Sequence, residues 1–255
     1  MSLNLAGIAA IYRFEMERTF RTIAQSIATP VISTALYFVV FGAAIGSRMA
    51  PVDGIPYGAY IVPGLILLSI MTESVANASF GIYLPKFTGT IGEILSAPLS
   101  PSEMVLGYVG AAVTKSLMVG AVTLCVARLC VPFTILHPFA MIGLFVLIAL
   151  AFSLFGFILG LLANSFEQLQ IVPLLILNPL GFLAGTFYSL KMLPEPWGTI
   201  ALFNPLVYLV SGFRWTFHGV ADVGIGTSIG LILAFLAVCS LIVGWIVRTG
   251  YRLKG

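Results

Sequence analysis

An all-α membrane protein of six transmembrane helices is the fold class this sequence predicts, on three observations. Of its 255 residues, 60% are apolar and only 8% are charged, whereas a soluble domain carries roughly 25% charged residues. Several apolar runs exceed the ~18 residues that a helix needs to cross a bilayer, and residues 139–163 contain no charge at all. Six spans of about 20–25 residues, with their connectors, use up the chain, so residues 1–255 read as a single transmembrane domain.

Residues 3–24 come first. At 100° per residue, Leu5, Ile8, Ala9, Tyr12, Met16, Phe20 and Ile23 form one stripe, Arg13, Glu17, Arg18 and Arg21 fall elsewhere, and Ile11 and Phe14 lie off the stripe. This pattern predicts an amphipathic helix in the headgroup plane, its arginines toward anionic lipid. The first span, 27–46, begins too late and runs too long for an ordinary signal peptide, and Pro30 is tolerated in its first turn. The second, 57–80, holds Pro63-Gly64, which predicts a kink. Beyond it, Glu93 follows Thr90 by three residues, the spacing of a capping box, and Pro98 and Pro101 stop the helix. Residues 85–98 therefore predict a short helix outside the bilayer core, a docking knob for a soluble partner.

Spans at 104–131 and 139–163 flank a proline-rich turn. The span at 169–190 is interrupted by Pro173, Pro179, Gly181 and Gly185. Within 192–219, two apolar stretches (197–203 and 206–217) are too short to span and meet at Asn204-Pro205, where proline disfavours helix at the preceding residue. Together they predict a re-entrant helical hairpin, whose broken backbone survives only where protein covers it or a wet cavity borders it. The last span is 228–247. With both termini inside, seven Lys and Arg residues fall on inner connectors and four on outer ones. That bias predicts cytoplasmic termini, a cytoplasmic knob at 85–98 and a hairpin dipping in from the outer face. The net charge of +3 is too small and scattered for nucleic-acid binding, and Cys125, Cys130 and Cys239 read as buried free thiols.

Chemistry is constrained by what is missing. The sequence contains no G-x-x-x-x-G-K-[ST] phosphate loop, no H-E-x-x-H and no G-x-S-x-G elbow. His137 and His218 have no partners at metal-ligand spacing, so neither a catalytic nor a metal site is expected. Two ionisable residues fall within spans, Glu73 and Lys115, and such groups are functional suspects because they are costly there. An ion pair between them is feasible, as is separate snorkelling toward the interface.

Two motifs carry a family resemblance. Lys86-Phe87-Thr88-Gly89-Thr90-Ile91-Gly92-Glu93-Ile94-Leu95, followed by Pro98, and Phe203-Asn204-Pro205-Leu206-Val207-Tyr208, followed by Gly212-Phe213-Arg214, resemble patterns of ABC-transporter permeases of the type-2 exporter family. The likeness extends over the whole chain and is nearest in kind to bacterial inner-membrane permeases without a settled substrate and to nodulation-factor exporters. At Gly92 the chain departs from the many members that carry an acidic residue there, leaving Glu93 alone.

The resemblance implies half of a transporter in the bacterial cytoplasmic membrane. A second permease copy, as a homodimer, would complete the path. Two copies of an ABC ATPase subunit would dock below and hold the ATP and magnesium, with no cofactor on this chain. Lys86, Gly89, Thr90, Glu93, Ile94, Leu95 and Pro98 would form the coupling helix. The hairpin with Phe203, Asn204, Pro205 and Tyr208 would close the exit, and Arg214 would anchor it to headgroups. The cargo would be apolar or amphipathic: a drug, lipid or glycolipid. Tyr37, Phe38, Phe152, Phe155 and Phe157 fit the lining of such a path and lipid-facing packing equally well. A proton-coupled transporter using Glu73 and Lys115 is the alternative. An intramembrane enzyme lacks the convergent residues it would need.

Overall fold

The computed structural model describes residues 3–252, and these form a succession of helices without a strand. Helix α1 (Leu5–Arg21) leads into α2 (Ile23–Tyr37), which continues through π-helical turns over Phe38–Ile45. The stretches Leu5–Arg21 and Ser26–Gly42 meet at 58°. After a connector come α3 (Tyr57–Thr88), the short α4 (Ile91–Ser96), α5 (Pro101–Cys130) and α6 (Pro138–Leu162). A composite helix, Phe166–Thr186, joins α7 (Phe166–Ile171) and α8 (Asn178–Gly181) through π-helical segments. The chain closes with α9 (Trp197–Ala201), α10 (Pro205–His218) and α11 (Ile225–Thr249). Five of these helices are long and apolar enough to cross a membrane, and the bent α1–α2 pair makes a sixth when counted as one span.

Helix α3 is the axis. In its most apolar stretch 78% of residues are buried by the protein, against 22% for α11, which leaves most of α11's surface for lipid. The closest contact is with α6. Gly156 and Gly160 form a small-xxx-small pair, the spacing that lets two helix backbones approach in a membrane. A Cβ at Gly156 would lie 2.5 Å from the Val75 carbonyl oxygen, and one at Gly160 would strike that of Ser79.

Helix α3 runs continuously through both Pro63 and Pro85. A proline removes the N–H that would bond the carbonyl four residues earlier, here Ala59. His218 Nε2, at the end of α10, lies 3.0 Å from that oxygen and donates to it. Burial holds the His218 pKa below the ordinary imidazole value, which favours the neutral ring with a single N–H. In the composite helix the prolines are absorbed differently. A π-helical segment takes up Pro173, Pro179 stands at the start of α8, and the composite helix ends at Thr186, just past left-handed Gly185 (φ +79°), short of the expected residue 190.

The face of α1 that packs on the protein is Ile11, Glu15, Met16 and Thr19, while Leu5 and Phe20 of the apolar stripe are exposed. Ile11 fills the space over Gly107 of α5, and Tyr12 Oη donates to Thr114 Oγ1 at 3.0 Å. One further expectation is corrected: of the three thiols only Cys239 is buried, and Cys125 and Cys130 are exposed on α5.

The glycine pair gives a direct test. Gly160→Leu is expected to cost more than the ~1–3 kcal/mol usual for overpacking, since backbone rather than a side chain must yield. Gly143→Leu on the same helix, where nothing lies within 4 Å, is expected to leave the thermal midpoint in detergent unchanged.

Candidate functional site

One end of the bundle carries α4. The last turn of α3 bears Lys86, whose Nζ donates to the Leu161 carbonyl at 2.6 Å and so ties α3 to the end of α6. Gly89 then reverses the chain at φ +79°, a conformation that costs glycine little. The predicted coupling segment, 85–98, is thus partly α3, and only Ile91–Ser96 is a separate helix. Ile91 is buried and Ile94 and Leu95 are half-buried against the neighbouring core. Phe87, Thr88, Gly89, Thr90, Gly92, Glu93 and Pro98 are exposed.

The expected Thr90–Glu93 capping box is not formed. Thr90 makes no side-chain cap, and its hydroxyl pairs with that of Thr88 at 3.0 Å. The box lies one element later. Ser100 Oγ accepts from Glu103 N, and Ser100 N donates to Glu103 Oε2 at 2.8 Å. The other Glu103 oxygen accepts from Asn4 N at 2.6 Å, and Asn4 Nδ2 donates to the Pro98 carbonyl at 3.0 Å. The start of α1, the exit from α4 and the start of α5 therefore meet on one carboxylate. Glu93, by contrast, has no ion pair among the described residues and points its charge outward.

The opposite end is held by a buried polar clasp. Arg214 on α10 is 1% exposed, which corrects the expectation that it anchors to headgroups. Its guanidinium donates to Asp222 Oδ2 at 2.6 Å and to the Gly185 carbonyl, and lies 4.0 Å from the centre of the Tyr60 ring. Asp222 Oδ1 accepts from Ser189 Oγ at 2.6 Å. Ser211 Oγ receives the backbone N–H groups of Asp222 and Val223 at 2.9 and 3.0 Å. Four segments converge here: α3, the end of the composite helix, α10 and the α10–α11 loop. Both terminal nitrogens of the buried guanidinium are bonded, and the Tyr60 face covers its plane.

Beside the clasp, Asn204 caps α10. Its Oδ1 accepts from Leu206 N at 3.0 Å, and its Nδ2 donates to the Leu180 carbonyl at 2.7 Å. Tyr208 Oη donates to the Leu202 carbonyl at 3.1 Å, closing the α9–α10 turn, from which Phe203 projects at 84% exposure. His137 stacks on Trp215 at 4.2 Å, so both histidines serve α10. Among the described residues no group of three or more His, Cys, Asp or Glu is placed to hold a metal.

Glu73 and Lys115 remain unpaired with each other. Glu73 accepts from Asn77 Nδ2 at 3.0 Å and borders a cavity between α2, α3 and the composite helix. Lys115 is half-buried on α5. Of the candidate aromatics, Phe152 and Phe155 line an apolar cleft of about 450 Å³ beneath α10 and α11. Tyr37 lines the Glu73 cavity, while Phe38 and Phe157 are core. Asp222, Tyr60 and Ser189 carry the clasp and had no signal of their own in the sequence. The one hint was an acid eight residues after Arg214.

Packed apolar helices, an exposed helix at one end and a buried polar clasp at the other define a polytopic membrane subunit. Residues 7–218 match the ABC-2 type transporter family. The chain is 37% identical over 255 residues to inner membrane transport permease YadH of Escherichia coli K12, covering 100% of this chain and 99% of that protein. It is 27% identical over 226 residues to Nodulation protein J of Rhizobium leguminosarum bv. viciae, covering 87% and 84%. With Nodulation protein J of Rhizobium meliloti strain 1021 it shares 26% over 222 residues, covering 85% and 82%. The chain belongs to the ABC-2 type transporter family and is a multi-pass inner-membrane permease subunit of an ABC transporter. That membership implies a partner ATPase subunit.

Breaking the clasp from one side is expected to be severe. Arg214→Met or Asp222→Leu alone leaves a buried charge without its partner and is expected to cost ~3–5 kcal/mol. The double variant is expected to lose less than the sum of the two. Thermal or denaturant unfolding of the four proteins checks both statements.

Proposed function

We propose that this permease is half of an ATP-driven exporter of apolar or amphipathic cargo. Two copies enclose the path, and two ATPase subunits, which hold the nucleotide and magnesium, dock at the end carrying α4. The observation that supports this reading best is the form of the 85–98 segment. Its apolar side is seated on the bundle through Ile91, Ile94 and Leu95, its polar side is exposed with an unpaired carboxylate at Glu93, and both flanking helices are long spans.

A rigid knob between two spans transmits a push to both of them. The Asn4–Glu103–Ser100 junction extends the same motion to α1, which lies beside the docking end. That end is cytoplasmic on this reading, in keeping with the bias of Lys and Arg, and both termini face the cytoplasm. The α9–α10 pair forms the re-entrant hairpin on the outer side, its break at Asn204 covered by bonds to Leu180 and Leu206.

Purification of the tagged permease in mild detergent is expected to recover an ATPase subunit in stoichiometric amount. Glu93→Lys reverses the one outward charge of the knob and is expected to cut ATP-dependent transport by about tenfold, with membrane expression unchanged. Transport at the normal rate in that variant would refute the docking surface.

A further inference from the structure

A cavity of about 350 Å³ lies between α2, α3 and the composite helix, and its lining differs from the rest of the bundle. Thr34, Ser69 and Thr72 offer hydroxyls and Asn178 a carboxamide, with the rings of Tyr37 and Phe182 alongside. Those rings meet edge to face at 6.3 Å. Among the described residues Glu73 is the one carboxylate bordering the space, and no basic residue does.

Glu73 stands about midway along α3, roughly 22–24 Å from either end at 1.5 Å per residue. One of its oxygens accepts from Asn77. Among the described residues it forms no ion pair. Lys115 senses its charge but neither bridges to it nor borders the cavity. A carboxylate at such depth is costly without a counterion, and the cavity beside Glu73 offers room for one.

We propose that this cavity binds organic cations, with the positive centre against Glu73 and the apolar body against Tyr37, Phe182, Leu65 and Leu68. The assignment rests on the transport reading above and gives its cargo a charge. In a low-permittivity site a single carboxylate acts strongly on a cation. Two aromatic faces add to that attraction, and the hydroxyl oxygens accept hydrogen bonds from an ammonium. An anion of the same shape meets the same apolar walls and is repelled.

The test uses a matched pair of probes, tetraphenylphosphonium and tetraphenylborate, alike in shape and opposite in charge. Equilibrium binding is measured on the complex as extracted from its membrane, with ATPase recovery scored in the same sample. Tetraphenylphosphonium is expected to bind at least about tenfold more tightly than tetraphenylborate. Glu73→Gln is expected to abolish that preference, and Glu73→Asp to retain most of it. Ser33 borders the cavity from an exposed position, so Ser33→Trp fills the opening at little cost to the fold. It is expected to remove cation binding with Glu73 intact, which keeps the test decisive should Glu73→Gln fail to fold. Equal binding of the two probes, or cation binding indifferent to both Glu73→Gln and Ser33→Trp, overturns the proposal. If the ATPase is recovered in that case, the transport reading survives without it; absence of the ATPase counts against the transport reading alone.

Discussion

The close approach of α6 to α3 is the contact on which the rest of the structure depends. Lipid supplies no hydrophobic drive to bring two apolar helices together, so their association rests on dispersion and shape. Gly156 and Gly160 make that contact possible by removing every side-chain atom between two backbones. With α6 fixed, Lys86 finds the Leu161 carbonyl, the end of α3 is set, and α4 is held on its buried side. The position of the exposed knob thus follows from two absent side chains more than 60 residues further along the chain.

At the other end the governing rule is satisfaction of polar groups. Backbone bends there four times within a short stretch, at Gly185, Ser189, Asn204 and Gly219, and each bend releases donors and acceptors that lipid cannot bond. Arg214, Asp222, Ser211 and Asn204 take up several of them. Irregular backbone within a bilayer survives only where protein covers it or a wet cavity borders it. Here its order is concentrated in a few side chains rather than spread over a helix.

Much of the architecture was legible in the sequence, because membrane spans are the strongest signal a sequence carries. The long apolar runs of α3, α5, α6 and α11 were placed to within a few residues at most of their ends, apart from the C-terminal end of α3. That helix continues eight residues past the expected boundary, with Gly81, Ile82, Tyr83 and Pro85 buried by the protein, and hydropathy says nothing of that shelter. Capping was misread at Thr90 because two competing boxes, Thr90–Glu93 and Ser100–Glu103, obey the same spacing rule. Only the second has a proline at the first helical position and a long helix to cap. The burial of Ile11, off the apolar stripe of α1, had no local signal, because it packs over Gly107, a residue 96 positions away. Of the site residues, Glu73, Asn204 and Arg214 stood out as polar groups in apolar surroundings. Their partners Asn77, Leu180 and Asp222 are ordinary residues whose roles exist only in three dimensions.

The bond from His218 to the Ala59 carbonyl makes Pro63 and His218 a single unit of inheritance. The helix bond that Pro63 forfeits is restored by a side chain 155 positions later, so neither residue is neutral without the other. Recombination between this permease and a distant relative, with a crossover anywhere in the intervening spans, would separate a defect from its repair. Chimeras built to trace specificity therefore need to exchange the proline and the histidine together, however far their junction lies from the residues of interest.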